Sequence, residues 1–265
     1  NNGEFAPAIG FSRGVLIQDP AARRRLDLPP IDRAFPLEDE SRWDENYIRQ
    51  DSDYVSFRTL VSTDEGQTVV SPGYLQRDWI EDGRHYFEYV MEDRSLNFFN
   101  FMSAEYALAE EEQDGINFQI FYHPGHDWNV DRMMEAAQDT LGYMSEHISP
   151  YQYRQYRTLE FPYGGFAQSF PNTIAYSENV GFIADLRDPD NIDYVYYITA
   201  HEAARQWWAH QIMGPNVQGG SMLVETFAQY SAMMVMQQEY GEDHMRRFLK
   251  YELDNYLSQR GNETR

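Results

Sequence analysis

The sequence contains no cysteine. This absence excludes disulfide bonds, thiolate metal ligands and cysteine nucleophiles, although it does not identify a cellular compartment. Lysine is nearly absent too, because Lys250 is the only lysine among the 21 basic residues. The positive charge of the chain is therefore carried almost entirely by arginine.

Basic residues are also few compared with acidic ones. The chain has 21 Lys and Arg against 43 Asp and Glu, which gives a formal net charge of −22 at pH 7. Such a chain repels nucleic acid and anionic membrane surfaces, so we expect neither as a partner. No segment approaches the roughly 20 apolar residues that a membrane-spanning helix needs, so the sequence predicts no membrane span in this chain.

The residue patterns change along the chain from strand-like to helix-like. Before residue 125, runs rich in Tyr, Phe and Val alternate with turn clusters, which is typical of strands. Later segments show apolar residues at helical spacing, with Asn129 as an expected N-cap and a short strand expected over 156–162. The sequence therefore predicts a β-rich N-terminal domain over 1–125 and a second domain over 126–265. The predicted strands span 54–63, 85–93, 96–108 and 116–124, and the predicted helices 130–148, 191–212, 222–240 and 243–257.

One pentapeptide in the second part carries chemistry. His201-Glu202-Ala203-Ala204-Arg205 is the zinc-protease signature HExxH with arginine in the place of the second histidine. On a helix, positions i and i+4 share a face, so two imidazoles can bind one zinc ion while the glutamate between them acts as general base. Taken alone, HExxR is most simply a polar patch on a core helix.

Two further blocks accompany it in order. Glu225 lies in "LVETFAQY" after nineteen intervening residues, and "YSENVGFI" (176–183) precedes the pentapeptide. Together the three blocks resemble the gluzincin aminopeptidases, the family of aminopeptidase N, over roughly residues 95 to 265. The sequence that follows Arg205 and surrounds Glu225, "QWWAHQ…NVQGGSMLVETFAQYSAMMVM", is most similar to the peptidase-like domains attached to bacterial ABC transporter permeases.

The resemblance implies an α+β fold, with a thermolysin-like, mainly helical catalytic-type domain that is truncated at its C-terminus. It also implies zinc as the cofactor and peptides as substrates. The roles it implies are zinc ligation by His201 and Glu225, with Arg205 at the position of the missing histidine ligand, general-base catalysis by Glu202, and binding of the substrate amine by Glu178 and Asn179.

Arg205 is the main departure from the family pattern. Arginine stays protonated and is not an ordinary zinc ligand, so we expect the chain to lack stoichiometric zinc. His210 is expected on the opposite side of the helix, and His123 and His126 are interpreted as surface or strand-end histidines. The tyrosine that the family uses to stabilise the tetrahedral intermediate has no counterpart, so aminopeptidase turnover should be near background.

Two functions remain open on the sequence. One is an impaired zinc aminopeptidase; the other is a non-catalytic domain that binds peptides or a partner beside a transporter. The second is compatible with an extracytoplasmic domain of a larger bacterial membrane protein. A histidine codon at position 205 in the source gene would favour the enzyme, and an arginine codon the binding domain.

Arg205 itself leads to a structural prediction. Two carboxylates that converge in a partly buried cleft need a cation nearby, and a guanidinium can pair bidentately with one of them. We therefore predict that Arg205 occupies the metal position and pairs with Glu225. The alternative is an Arg205 side chain that points into bulk solvent.

Overall fold

The computed structural model of the protein describes residues 16–17, 19–31, 35–46, 48, 53–162, 164–188 and 191–261. Within these ranges, no helix combines the length and the apolar character needed to cross a membrane. The α-helices are α1 (Pro20–Arg25), α2 (Val130–His147), α3 (Tyr194–Ala204), α4 (Phe227–Tyr240) and α5 (Met245–Gly261). The strands are β1 (Tyr54–Val55), β2 (Arg58–Asp64), β3 (Thr68–Val70), β4 (Tyr74–Glu81), β5 (Arg84–Val90), β6 (Ser95–Leu96), β7 (Met102–Ala104), β8 (Ala107–Gln113), β9 (Ile116–Tyr122), β10 (Gln155–Phe161), β11 (Ala167–Phe170) and β12 (Thr173–Ser177).

The N-terminal strands form small antiparallel sheets. Strand β5 lies between β2 and β4, while β3 pairs with β7 and β1 with β6. The β4–β5 hairpin turns at Asp82 and Gly83, which both have positive φ angles. Asp and Gly tolerate this conformation, which matches the twist of the flanking strands. The expectation of a β-rich first part is confirmed, but the strand predicted over 96–108 is broken into β6, β7 and the start of β8.

A five-stranded mixed sheet forms the centre of the molecule. Its strand order is β11-β12-β10-β9-β8. Strands β9, β10 and β12 run parallel, while β8 and β11 pair antiparallel at the two edges. The carboxyl ends of the three parallel strands therefore meet at one edge of the sheet.

Both faces of this sheet are buried. Phe118, Tyr156 and Tyr176 point to one side and pack with Met133 of α2 and with α3 and its following turn. Residues of opposite parity, such as Leu159, pack on the other side against N-terminal segments that include Val70. Because side chains alternate along a strand, a sheet covered on both faces has strands that are buried almost throughout, as β10 and β12 are, although β10 carries polar residues such as Arg157 and Glu160.

The prediction of a thermolysin-like, mainly helical domain after residue 126 is wrong. Residues 155–177 supply three of the five strands of the central sheet, which takes its other two strands from before residue 125. The structure is 33% helical and 28% strand. The helical spacing correctly predicts α2 to α5, but it gives too little weight to the strands between α2 and α3. The proposed division into domains at residue 125 stays a prediction.

Asn129 precedes α2 as expected, but it does not cap the helix with its side chain. Its Nδ2 instead donates to the carbonyl oxygens of Gly181 at 2.7 Å and of Ala184 at 2.9 Å. The amide thus joins the start of α2 to the turn that follows β12. This tertiary contact links two loops at the carboxyl edge of the sheet, the one between β9 and α2 and the one after β12.

Candidate functional site

Helix α3 carries His201 and Glu202 in its last turn. The helix ends at Ala204, and Arg205 is its C-cap residue. The amide of Arg205 still donates to the carbonyl of His201 at 3.1 Å, so the two residues are one helical turn apart as the motif requires. The helix predicted over 191–212 is therefore shorter, and residues 205–212 form turns.

Gln206 explains why the chain leaves the helix here. Its Nε2 donates to Ser169 Oγ at 2.6 Å and to the carbonyl of Phe170 at 2.8 Å, and its Oε1 accepts from the amide of Asn172 at 2.9 Å. These bonds attach the end of α3 to β11 and to the turn after it. Trp207, the next residue, is fully buried and belongs to the main hydrophobic core.

Glu225 lies on a π-helical turn, Met222–Thr226, that leads into α4. Single π-helical turns within helices occur frequently at functional sites, because they shift one side chain out of the regular helical register. The Glu225 side chain is 52% exposed. The turn brings this carboxylate to the end of α3 from a separate element.

The structure joins these residues into a group that we call the helix cluster: His201, Glu202, Arg205 and Glu225. Nη1 of Arg205 donates to Oε1 of Glu225. Nε2 of His201 lies 3.5 Å from Oε2 of the same carboxylate. The Arg205 side chain is 7% exposed, so the predicted ion pair is confirmed and the solvent-directed alternative is wrong.

The two carboxylates of the helix cluster have opposite electrostatic environments. Burial raises the pKa of Glu202, and the nearby charges of His201 and Arg205 only partly oppose this. Burial also raises the pKa of Glu225, but the contact with His201 and the charge and hydrogen bond of Arg205 lower it more, to about 2. Glu225 is therefore held as an anion, while Glu202 keeps its proton to a higher pH than an ordinary glutamate does.

The helix cluster does not fit a zinc ion. Only His201 and Glu225 are positioned as donors, and the guanidinium of Arg205 holds one oxygen of Glu225. A zinc site with a bound water normally has three protein ligands. Glu202, the expected general base, has a buried Oε2 without a hydrogen-bond partner, which suits an uncharged carboxyl. Arg205 thus places a positive charge directly against the Glu225 carboxylate.

His210 is separate from the helix cluster, as expected. It is buried, and its Nε2 lies 3.3 Å from the carbonyl oxygen of Ser169. Burial and the charge of Arg205 lower the pKa of His210 to about 3. The ring is therefore a neutral packing residue that donates to β11.

Glu178 and Asn179 occupy the turn after β12. Asn179 is exposed and Glu178 half-buried. The turn packs closely on β12, because a Cβ on Gly181 would lie 2.7 Å from the ring of Tyr176. Only glycine fits this position. Glu178 approaches His126 and Glu160, and one donor atom from each of the three residues lies within 4.8 Å of the others.

We call these three residues the edge cluster: His126, Glu160 and Glu178. His126 is not simply a surface histidine, because its Nδ1 donates to Oε1 of Glu160 at 2.5 Å. Glu160 is not among the site residues predicted from the sequence. The signal that could have found it is an acidic residue inside the otherwise strand-like run "YRTLEFP", where a buried carboxylate requires partners.

No protein-family model matches this chain, and the search of curated proteins found no significantly similar sequence.

Proposed function

We propose that the chain is a peptide-binding domain of the aminopeptidase type in which Arg205 replaces the metal, so that it binds free peptide N-termini without hydrolysing them. The observation that carries the proposal is the ion pair between Arg205 and Glu225, with His201 Nε2 3.5 Å from the second oxygen of that carboxylate. A zinc-dependent aminopeptidase needs those donor atoms for the metal.

The order and spacing of the motif residues support the proposal. His201 and Arg205 are one turn apart on one helix end, and Glu225 meets them from another element, as in a gluzincin ligand set. Two separated blocks of the sequence therefore meet in one spatial group, which is difficult to obtain from an accidental HExxR. The catalytic chemistry is nevertheless missing, because no group of this cluster can activate a water molecule as a bound metal does.

Peptide recognition would use the acidic turn after β12. In the proposed arrangement, Glu178 accepts hydrogen bonds from the peptide ammonium, and the neighbouring Asn179 assists as in the motif that it resembles. A half-buried carboxylate is well suited to this, because a charge-assisted hydrogen bond is stronger where water is partly excluded. Arg205 would face the peptide carbonyl as a fixed cation.

The experiment compares two forms of one peptide. Ala-Ala-Phe with a C-terminal fluorophore is titrated against the full chain, first with a free and then with an acetylated N-terminus. We expect the free form to bind at least about tenfold more tightly, since one charge-assisted hydrogen bond contributes roughly 1.5–3 kcal/mol. Glu178→Gln should remove this preference.

Glu112→Gln is the matched control, because Glu112 is an exposed glutamate on β8 away from both clusters. Release of free alanine is measured in the same samples. Equal binding of the two peptide forms would refute recognition of the amine. Chelator-sensitive release of alanine would instead identify the chain as a working aminopeptidase.

A further inference from the structure

The edge cluster lies where three parallel strands end. His126 is in the loop after β9, Glu160 is the penultimate residue of β10, and Glu178 directly follows β12. These strands are neighbours, since β10 pairs in parallel with both β9 and β12. In open sheets with parallel strands, ligands bind in the crevice outside the carboxyl ends of the strands.

The three side chains offer one imidazole and two carboxylates. One donor atom from each lies within 4.8 Å of the others. In a zinc site with nitrogen and oxygen ligands at about 2.0–2.2 Å, tetrahedral geometry places the ligand atoms about 3.4 Å apart. Movements of about 1 Å would therefore bring all three donors to one ion. The ion would take the place of the hydrogen bond between His126 and Glu160.

Glu160 is the residue that makes a cation favourable here. Its side chain is 3% exposed, and its second oxygen accepts from the amide of His123 at 2.5 Å. A second carboxylate, Glu178, approaches the same point. Two carboxylates beside one another with limited access to water are costly unless a cation offsets their charge.

The loops around the edge cluster are also fixed by contacts outside the cluster. Asn129 joins the loop after β9 to the turn after β12 through Gly181 and Ala184. The close packing of Gly181 on Tyr176 fixes the same turn from below. The donors are therefore presented from a rigid frame, which lowers the cost of ordering a site on binding.

We propose that His126, Glu160 and Glu178 form a binding site for one divalent transition-metal ion. A donor set of one imidazole and two carboxylates suits zinc or manganese. The site is separate from the helix cluster and does not rest on the peptide-binding function, although Glu178 takes part in both. Bound metal would compete with a peptide ammonium for this carboxylate.

The test titrates the full chain with ZnCl₂ and, separately, with MnCl₂ by isothermal calorimetry, and counts bound manganese by its electron paramagnetic resonance signal. We expect one ion per chain at micromolar concentration. His126→Ala and Glu178→Gln should each weaken binding by at least about tenfold, because each removes a ligand. Glu160→Gln should do the same and is checked for folding by circular dichroism.

Two control variants distinguish binding at the edge cluster from binding elsewhere on the chain. His123→Ala is the matched control, because the His123 ring packs at a tilt beside His126, while the hydrogen bond from His123 to Glu160 comes from its backbone amide. His201→Ala removes the imidazole ligand that the helix cluster could offer to a metal ion. Both variants should bind the ion as the wild type does.

The proposal is overturned if no ion binds below millimolar concentration, since the contact between His126 and Glu160 would then be a structural hydrogen bond only. It is also overturned if all variants bind equally, which would indicate only loose association with an acidic surface. The result of the peptide experiment is independent of these outcomes, because His126→Ala removes the metal site but leaves the proposed peptide-binding residues intact.

Discussion

The helix cluster and the edge cluster have nearly the same composition but differ in one residue. Each contains one histidine and two glutamates, and each combines side chains from separate elements. Only the helix cluster includes an arginine, whose side chain is 7% exposed and paired with Glu225. The edge cluster uses the partly exposed ring of His126 against the buried Glu160.

The difference concerns how carboxylates are neutralised. A guanidinium is a permanent cation in the protein, so the helix cluster is balanced without a ligand. An imidazole is a cation only when protonated and a metal donor only when it is not. In the proposed metal site the imidazole of the edge cluster is a ligand, whereas the helix cluster cannot bind a metal ion in this way until its arginine is removed.

The largest expected effect is on zinc affinity and follows from replacing the arginine that only the helix cluster contains. Arg205→His restores a His-Glu-x-x-His pair one turn apart, with Glu225 as the third ligand. Loss of a single supporting partner typically costs zinc sites about 10- to 100-fold in affinity, so the gain of a full ligand should raise zinc affinity by at least about 100-fold. Calorimetry with ZnCl₂ on the His126→Ala background would measure this site alone.

Arg154→His is the control for this substitution. Arg154 forms an exposed ion pair with Glu92 and lies outside both clusters, so the change removes a paired arginine without creating a ligand set. If Arg205→His binds zinc no better than Arg154→His, the remaining donors are not arranged as a metal site. The likeness to the aminopeptidase ligand set would then be accidental.

A second, smaller effect is on the free energy of unfolding, which should fall by different amounts when the nitrogen partner of a glutamate is removed from each cluster. Arg205→Met removes the cation beside Glu225 while keeping an unbranched side chain. Breaking a fully buried ion pair costs about 3–5 kcal/mol, but Glu225 is 52% exposed and can be solvated, so we expect about 1–2 kcal/mol. His126→Ala should cost more, about 2–3 kcal/mol without metal, because it leaves the buried Glu160 carboxylate with the amide of His123 as its remaining partner among the described residues.

Urea denaturation at pH 7 measures both changes, with Arg154→Met as the exposed ion-pair control. A cost for Arg205→Met no larger than that of the control would mean that the guanidinium does not balance the helix cluster. A cost for His126→Ala that is smaller than that of Arg205→Met would reverse the expected order of the two clusters.

The sequence predicted the helix cluster better than the edge cluster, and the reason is physical. His201 and Arg205 are four positions apart on one helix, so their proximity is a local property. The proximity of Glu225 came only from the likeness to a known family. The edge cluster depends on the order β9-β10-β12, which is set by long-range strand pairing and has no local sequence signal. The end of α3 at Ala204 could not be predicted for the same reason, since Gln206 is held by β11.

The smallest expected effect concerns pH and distinguishes the two glutamates of the helix cluster. Burial raises the pKa of Glu202, so the folded protein holds this proton to higher pH than the unfolded chain. Its ionisation therefore reduces stability as pH rises from the unfolded value, about 4.3, through the raised folded value. Glu202→Gln keeps an acceptor for the amide of Ser169 and cannot ionise. The variant should gain stability relative to the wild type between pH 4 and pH 7.

Glu225 should show the opposite dependence. Its pKa is lowered to about 2 in the folded protein, so its contribution is complete above the unfolded value and is lost as pH falls through about 2. The stability difference between the wild type and Glu225→Gln should therefore shrink on acidification, while Glu202→Gln approaches the wild type in the same range. Denaturation curves at several pH values between 2 and 7 measure both slopes. Parallel slopes for the two variants would show that Arg205 does not distinguish the two carboxylates, because a cation shared equally between them would lower both pKa values.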